Sequence, residues 1–130
     1  MLIYTNCVSL VVSDLQSGQI LAWKLVVSPE TRFSNAVSLE GHAHGVVSFT
    51  IGLKRLYSGS MDGTIKVFEI GTLKCLMTLK AHSGAVMSML CWAHYLLSCS
   101  LDGTIKAWHQ PQEGVLEVVH THKEEHVYMR

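Results

Sequence analysis

Three residues of this chain have the types needed for nucleophilic catalysis: Ser98, His82 and Asp102. A serine hydroxyl next to an imidazole that a carboxylate orients is the arrangement of an acyl-transfer site. The same residue types, however, occur 40 residues earlier in the same order, as His42, Ser58 and Asp62. A set that recurs at a fixed interval is typical of an architectural hydrogen-bond network, so we predict no catalytic residue and no enzyme activity.

Eight histidines in 130 residues also raise the question of a metal site. His122 and His126 would share one face of a helix, as zinc ligands often do, and His120 lies close by. His122 nevertheless continues the 40-residue spacing of His42 and His82. We therefore predict a loop histidine of a repeat at this position, and neither a metal site nor another cofactor.

The composition argues against several classes of partner. Ten basic residues balance ten acidic residues and only 15% of the chain is charged, so direct nucleic-acid binding is not expected. Hydrophobic residues make up 48% of the chain, which is enough to fold one domain of this length. The sequence contains no glycine motif of the kinds that bind phosphate.

The longest apolar stretch, Ala85–Leu101, is interrupted by serines and a histidine, so we predict two buried strands there and no membrane span. The first residues lack a basic region followed by a cleavage site, and the four cysteines form no C-x-x-C pair. These features predict reduced thiols and an intracellular protein, either cytoplasmic or nuclear.

The elements that position the recurring residues are β-strands of an internal repeat. Leu56–Phe68 aligns with Leu96–Trp108 at an offset of 40 (102 − 62 for the two aspartates). Short segments rich in Val, Ile, Leu and Tyr alternate with turn residues, which favours four strands in each unit. Asp-Gly dipeptides at 62–63 and 102–103 predict hairpins between the second and third strands. In the middle unit we predict strands at Val46–Ile51, Leu56–Ser60, Thr64–Glu69 and Lys74–Leu79.

A 40-residue unit of four strands with His, Ser, Asp and Trp at these positions resembles a blade of the WD40 family of β-propellers. The resemblance implies an all-β fold, a partial propeller of about three four-stranded antiparallel blades that is not a closed ring on its own. We divide this single WD40-repeat region into a degenerate first blade at 1–39, a second at 40–79, a third at 80–119 and the start of a truncated fourth at 120–130.

In WD40 blades a loop His, a strand Ser or Thr, a turn Asp and a strand Trp form a hydrogen-bonded structural tetrad. The resemblance assigns the complete set to the third blade, as His82, Ser98, Asp102 and Trp108. The second blade has Phe68 at the Trp position and is one donor short. Its remaining members are His42, Ser58 and Asp62.

The first blade departs furthest from this pattern. It retains Trp23, has Ser13 at the second-strand position, and has Ser17 where Asp is expected. We predict that it is the least stable of the three blades. Two other aromatic residues, Tyr57 and Trp92, are predicted to be packing anchors between blades.

The segments 54–62, 86–92 and 96–102 are similar to plant CCCH-type zinc-finger proteins that carry a WD40 propeller, and the resemblance covers about residues 16–126. In that family a CCCH finger, which implies nucleic-acid contact, precedes the propeller. The four cysteines here are 68, 16 and 8 residues apart (positions 7, 75, 91 and 99), which is not the spacing of a CCCH finger. Zinc and nucleic-acid binding are therefore not carried over to this chain.

WD40 propellers generally act as non-catalytic platforms for other proteins or peptides, and the resemblance implies such a scaffold here, without membrane binding. On the face that the family usually uses, partner contacts would lie before the turn Asp, at Met61 and Leu101, and after the loop His, at His44 and Gly84. The apolar pair would favour a peptide with hydrophobic anchors.

Three alternatives stay open. A truncated regulatory fragment would self-associate, or pair with another propeller, through its open blade edges. An adaptor for ubiquitin ligases is a role of some WD40 proteins, although the Trp-Asp-x-Arg signature of one such role is absent from this sequence. A nucleic-acid-linked regulator would resemble the zinc-finger relatives, but it needs a finger that this stretch does not contain.

Overall fold

The computed structural model describes residues 2–4, 9–14, 20–27, 31–33, 37–39, 41–52, 55–109 and 116–123. Before residue 41 the description covers the backbone alone. Every regular element in these segments is a β-strand, which confirms the all-β prediction. None of the described segments forms a helix long and apolar enough to cross a membrane.

The strands form three antiparallel sheets that follow one another along the chain, which is the architecture of a partial propeller. The first sheet contains β1 (Leu2–Tyr4), β2 (Ser9–Asp14), β3 (Ile20–Val27), β4 (Thr31–Phe33) and β5 (Val37–Leu39). The second contains β6 (Val46–Gly52), β7 (Arg55–Ser60), β8 (Thr64–Glu69) and β9 (Cys75–Lys80). The third contains β10 (Val86–Trp92), β11 (Tyr95–Ser100), β12 (Thr104–His109) and β13 (Glu117–Lys123).

The four strands of the second sheet lie within one residue of their predicted ends. The prediction succeeds because β-branched and aromatic residues form the strands and Asp-Gly dipeptides separate them. Gly63 and Gly103 both have a φ of 86°, a left-handed conformation that a side chain disfavours, and each closes the hairpin after the second strand of its sheet.

The second and third sheets pack face to face. From the second sheet, Tyr57, Ile65 and Val67 contribute fully buried side chains to the shared core. Leu96 and Trp108 lie in the same core from the third sheet. Tyr57 is therefore a packing residue between sheets, as predicted. The opposite face of the second sheet holds a separate cluster of Val46, Leu56 and Phe68.

Each sheet has two faces, which we name by the tetrad positions. The tetrad face of the third sheet carries Leu96, Ser98 and Trp108, and it is the face that packs on the second sheet. The opposite face, which we call the far face, is read from the strand register. Its members on the first three strands are Ser88, Leu90, Trp92, Tyr95, Leu97, Cys99, Ile105, Ala107 and His109.

The predictions about the third sheet are wrong for β10, for Trp92 and for His122. Ala85–Leu101 does contain two strands, but β10 is largely exposed, and Trp92 on it has 72% of its surface open to solvent. Trp92 is thus not a packing anchor within this chain, because it lies on the far face, which no described sheet covers. His122 is not a loop histidine: it lies on β13, opposite Ile105, so the third sheet extends to Lys123 and not to residue 119.

Candidate functional site

The third sheet brings the four predicted tetrad residues together. His82, in the loop before β10, places Nε2 2.8 Å from Ser98 Oγ and Nδ1 3.2 Å from Asp102 Oδ2. The indole nitrogen of Trp108 lies 3.0 Å from the same Ser98 oxygen. The network therefore links a loop, two strands and the turn between them.

The donors and acceptors of this network fix the protonation of the imidazole. Trp108 can only donate, so its N–H donates to Ser98 Oγ, and the Ser98 hydroxyl then donates to His82 Nε2. The remaining proton of a neutral His82 must be on Nδ1, which donates toward Asp102 and toward Thr104 Oγ1 at 2.8 Å. Every polar group in the chain of contacts has a partner.

Asp102 receives more hydrogen bonds than the sequence pattern predicts. Its Oδ1 accepts from the Thr104 backbone N–H at 2.8 Å and from the Thr104 hydroxyl at 2.5 Å. Its Oδ2 accepts from the Ser83 backbone N–H at 3.0 Å. Partial burial raises the pKa of Asp102, but the Thr104 and Ser83 hydrogen bonds and the nearby His82 outweigh it and bring the pKa to about 2.

The second sheet builds a related but looser network. His42 Nε2 lies 2.6 Å from Ser58 Oγ, as in the third sheet, whereas His42 Nδ1 lies 2.9 Å from Thr64 Oγ1. Asp62 reaches the imidazole only through Thr64, whose amide and hydroxyl both donate to Asp62 Oδ1. Phe68, fully buried at the Trp position, has no N–H to donate. The second network is thus one donor short and lacks the direct contact between the imidazole and the carboxylate.

A threonine two residues after the turn Asp is the member that sequence reasoning missed. Thr64 and Thr104 occupy equivalent positions, and each contacts its His and its Asp. The signal was present, because Asp-Gly-Thr occurs twice at the repeat offset. The Asp-Gly dipeptide by itself predicts the hairpin, and the threonine after it is otherwise predicted only as the first residue of a strand.

In both sheets burial is the main influence on the imidazoles. It lowers the pKa of His42 and of His82 below the ordinary value of 6.5, although the neighbouring carboxylate opposes the change in each case. Both histidines are therefore neutral at neutral pH. This agrees with the direction of the hydrogen bonds, because the Nε2 atom of each histidine must accept one from a serine.

The first sheet can be compared through its backbone register. Trp23 pairs with Val11 and Ser13 pairs with Leu21, just as Trp108 pairs with Leu96 and Ser98 pairs with Lys106. Trp23 and Ser13 thus stand at the register positions of the tetrad. Ser17, the residue at the Asp position, lies outside the described residues.

The third network is built for architecture. The side chain of His82 is fully buried and that of Asp102 is 10% exposed. Ser98, whose hydroxyl contacts the imidazole Nε2 atom, is fully buried, and its hydroxyl already accepts one hydrogen bond and donates another. A substrate carbonyl has no access to such a hydroxyl. What the arrangement does is join loop, turn and strands into one rigid unit.

The four predicted partner-contact residues lie at the turn end of the two sheets. Met61 donates its backbone N–H to Gly45 O at 2.9 Å, next to His44, and Leu101 donates to Ala85 O at 3.0 Å, next to Gly84. Each pair is also joined by a serine: Ser60 Oγ lies 3.3 Å from His44 O, and Ser100 Oγ lies 2.9 Å from Gly84 O. The structure thus places His44 beside Met61 and Gly84 beside Leu101.

A backbone contact between the two sheets links the two pairs. The Gly63 carbonyl, in the turn that begins at Met61, accepts the His82 backbone N–H at 3.0 Å. A methyl group on Gly63 would collide with the His82 carbonyl oxygen and would lie 3.1 Å from Gly84 O. Because Gly63 has no side chain, the turn of the second sheet lies directly against the loop of the third. We call the surface made by His44, Met61, Gly84 and Leu101 the apolar ridge.

The histidines considered as metal ligands lie on the outermost strand of the third sheet. His120 and His122 are on β13, opposite Ala107 and Ile105, whereas His126 lies outside the described residues. In the part of the chain that the structure describes, no three side chains of His, Cys, Asp or Glu are grouped to hold a metal ion. The helical spacing of His122 and His126 that suggested zinc ligands does not apply at His122, because this residue lies on a strand.

The chain matches a protein-family model described as "WD domain, G-beta repeat" at residues 33–69 and 73–109. It is 54% identical over 111 residues to zinc finger CCCH domain-containing protein 17 of Oryza sativa subsp. japonica, covering 85% of this chain and 25% of the relative. It is 52% identical over 65 residues to zinc finger CCCH domain-containing protein 59 of Arabidopsis thaliana, covering 49% of this chain and 14% of the relative. A mouse protein, Gem-associated protein 5, is 33% identical over 76 residues, covering 52% of this chain and 5% of the relative.

Crystal structures of two computationally designed proteins are also similar to this chain. The crystal structure of the computationally designed Ika4 protein has a TM-score of 0.67 and 27% identity, covering 85% of this chain and 64% of that one. The designed Ika8 protein has a TM-score of 0.66 and 28% identity, covering 83% of this chain and 32% of that one. The chain spans a quarter or less of the length of the curated relatives named above. The repeated sheets, the tetrad geometry and the two family matches together show that the chain belongs to the WD40-repeat family and has plant CCCH zinc-finger proteins among its relatives.

Proposed function

We propose that this chain is a non-catalytic scaffold that binds a protein partner through the apolar ridge. WD40 repeats generally serve as protein-interaction platforms, and the ridge is the surface here that suits such a role. The observation that carries the proposal is the exposure of two large apolar side chains at equivalent turns: Met61 is 60% exposed and Leu101 is 52% exposed. Exposed apolar side chains grouped on one surface are typical of interaction sites.

Hydrogen bonds hold the ridge in place, so less conformational entropy is lost when a partner binds. The backbones of Met61 and Leu101 are each tied to the adjacent loop by an amide hydrogen bond. The carboxylates of Asp62 and Asp102, one residue further along, are held by Thr64 and Thr104 and do not swing toward a ligand. A surface that is already ordered loses little conformational entropy when a partner binds.

The chemistry of the ridge favours a peptide with hydrophobic anchors. Its two prominent side chains are a thioether and an isobutyl group, and methionine adapts its shape to different apolar partners. Asp62 and Asp102, which follow Met61 and Leu101 in the sequence, are acidic, so a strongly acidic peptide would be repelled. The preferred partner is therefore a segment with two apolar residues and neutral or basic flanks.

A peptide selection tests this proposal. The 130-residue chain is used to select from a randomised peptide library, and the selected peptides are assayed by fluorescence anisotropy. We expect apolar anchor residues in the selected set and at least a tenfold loss of affinity for the double variant M61E/L101E. The matched control is L76E, at a leucine that is 43% exposed on β9, away from the ridge. Equal binding by all three proteins, or enrichment of acidic peptides, would exclude the ridge as the docking surface.

The remaining parts of the proposal follow from the same residues. We propose that the chain has no enzyme activity of its own, since the one Ser-His-Asp set with a direct His–Asp contact is buried within a bond network. We place it inside the cell, in the cytoplasm or nucleus, because its four cysteines form no C-x-x-C pair and are not crowded as in a small disulfide-rich secreted protein. Adaptor roles in ubiquitin ligases and nucleic-acid-linked regulation are not part of the proposal. Nucleic-acid-linked regulation is supported only by the names of the CCCH zinc-finger relatives.

A further inference from the structure

Met61 is the most exposed methionine among the described residues. It has 60% of its surface open to solvent, whereas Met87 has 38%. Met77 and Met89 are half-buried and pack against the core that the second and third sheets share. A thioether must meet an oxidant directly in order to react, so exposure sets the order in which methionines are oxidised. In the folded chain Met61 is therefore the first of these four to be attacked.

The position of Met61 separates its side chain from the folding of the sheet. The side chain belongs to neither hydrophobic core cluster, and the turn is held by the backbone bond from Met61 N–H to Gly45 O at 2.9 Å. At the 40-residue offset the ridge has Leu101, which is 52% exposed and contains no sulfur. A chemical change at the Met61 sulfur thus alters half of the apolar ridge and leaves the other half and the turn as they are.

We propose that Met61 is a modification site, and that its oxidation to methionine sulfoxide by a hydroperoxide switches off binding at the apolar ridge. This inference rests on the proposed function, because the switch acts on the ridge. A lone pair of the sulfur attacks the peroxide oxygen that carries the proton, the S–O bond forms and the O–O bond breaks. The proton passes to the leaving oxygen, so the products are the sulfoxide and water or an alcohol. The sulfur loses two electrons and the peroxide gains them.

The sulfoxide weakens binding because it is polar. Its oxygen is a hydrogen-bond acceptor that water satisfies while the ridge is free. An apolar anchor of the partner would cover that oxygen without offering a donor, and burying a polar group in this way is costly. Methionine sulfoxide reductases return the thioether, so the change is reversible. The oxidised chain keeps its fold and loses its partner.

The first experiment tests the site itself and needs no partner. The folded 130-residue chain is treated with hydrogen peroxide, and the oxidation of each methionine is followed by peptide mass spectrometry. We expect Met61 to react at least about fivefold faster than the half-buried Met77 and Met89, and faster than Met87. The urea midpoint should be unchanged while Met61 alone is oxidised. An equal rate at Met61 and Met89, or a lower midpoint, would overturn the inference.

The second experiment measures binding. Peptides selected on the reduced chain are assayed by fluorescence anisotropy before and after peroxide treatment. We expect the affinity to fall at least about tenfold and a sulfoxide reductase to restore it. The matched control is M61L, which takes the residue of the equivalent turn and retains every cysteine and every other methionine. It should bind like the unmodified chain and keep its affinity after peroxide, whereas the exchange variant M61L/L101M should be sensitive again.

The outcomes separate this inference from the ridge proposal. An unchanged affinity after complete oxidation of Met61, or an equal loss in M61L, would overturn the switch and leave the ridge as the docking surface. Failure of the ridge is visible earlier: the reduced chain and M61E/L101E then bind equally well before any peroxide is added. In that case both proposals are refuted.

Discussion

Replacing Asp102 by asparagine separates the two bond networks, because the two carboxylates are used differently. In Asp102, Oδ1 accepts from the Thr104 amide and hydroxyl, while Oδ2 accepts from the Ser83 amide and His82 Nδ1. An asparagine can present one oxygen to Thr104, but its NH₂ group would then face two further donors. Asp62, in contrast, receives both Thr64 donors on Oδ1, so an asparagine there retains them.

The size of the effect follows from the pKa of Asp102. A fall from 3.8 to about 2 corresponds to at most about 2 kcal/mol of stabilisation of the folded state at neutral pH, because water near the turn screens part of the effect. We therefore expect D102N to lower the free energy of unfolding by about 1–2 kcal/mol, and D62N to lower it by less than about 1 kcal/mol.

Urea unfolding followed by far-UV circular dichroism measures both changes, at protein concentrations low enough to keep the chain monomeric. The unmodified chain must show one cooperative transition with the same slope as the variants, so that the midpoints can be compared. Equal losses in D102N and D62N would refute the assignment of Oδ2 to the His82 and Ser83 donors. A D102N midpoint equal to that of the unmodified chain would refute the role of Asp102 altogether.

Three further predictions concern the same architecture. Trp108→Phe removes the indole N–H that donates to Ser98 Oγ and leaves a smaller ring in the core. We therefore expect the free energy of unfolding in urea to fall by about 2–3 kcal/mol, and an unchanged midpoint would contradict the contact. Gly63→Ala meets the His82 carbonyl at a positive φ and is expected to cost at least about 2 kcal/mol, whereas Gly71→Ala, where a methyl group meets only a Glu69 carboxylate oxygen at 3.7 Å, is nearly neutral. Burial lowers the pKa of His42 and of His82, so just below pH 6.5 the unfolded chain binds protons that the folded chain does not. The free energy of unfolding therefore falls as the pH drops below 6.5, and it levels off below the pKa values of the folded chain. Asp102, whose pKa is lowered to about 2, adds a second fall between about pH 4 and pH 2, and a profile that is flat from neutral pH to pH 5 would contradict the histidine assignment.

The strands and the second-sheet boundaries were predictable from local chemistry. Residues 56–60 and 64–69 are short segments bounded by turn residues, which favours strands, and the Asp-Gly pair between them favours a tight hairpin. The partners of His82 were also predictable, since the repeat aligns His, Ser, Asp and Trp at fixed offsets. These features depend on residues that are close in sequence or related by the period.

What the sequence did not reveal depends on packing between sheets. Trp92 and Leu90 have the apolar character of core residues, and only the position of the third sheet shows that their face is exposed. The error at His122 has a similar cause: the histidine repeats at 40 residues, but the pairing of β13 with β12 overrides that period. Gly63 was identified as a turn glycine, yet its close approach to the His82 carbonyl could not be foreseen from one hairpin alone.

The protonation of His82 tests the central claim most directly, because the bond network requires one tautomer. Nitrogen-15 NMR of the imidazole at neutral pH distinguishes the two ring nitrogens. The network of Trp108, Ser98, His82 and Asp102 predicts a neutral ring with its proton on Nδ1 and an Nε2 atom that accepts from Ser98. A ring protonated on Nε2, or one that titrates at 6.5 like a histidine in water, would show that these residues do not form the contacts that hold the sheet together.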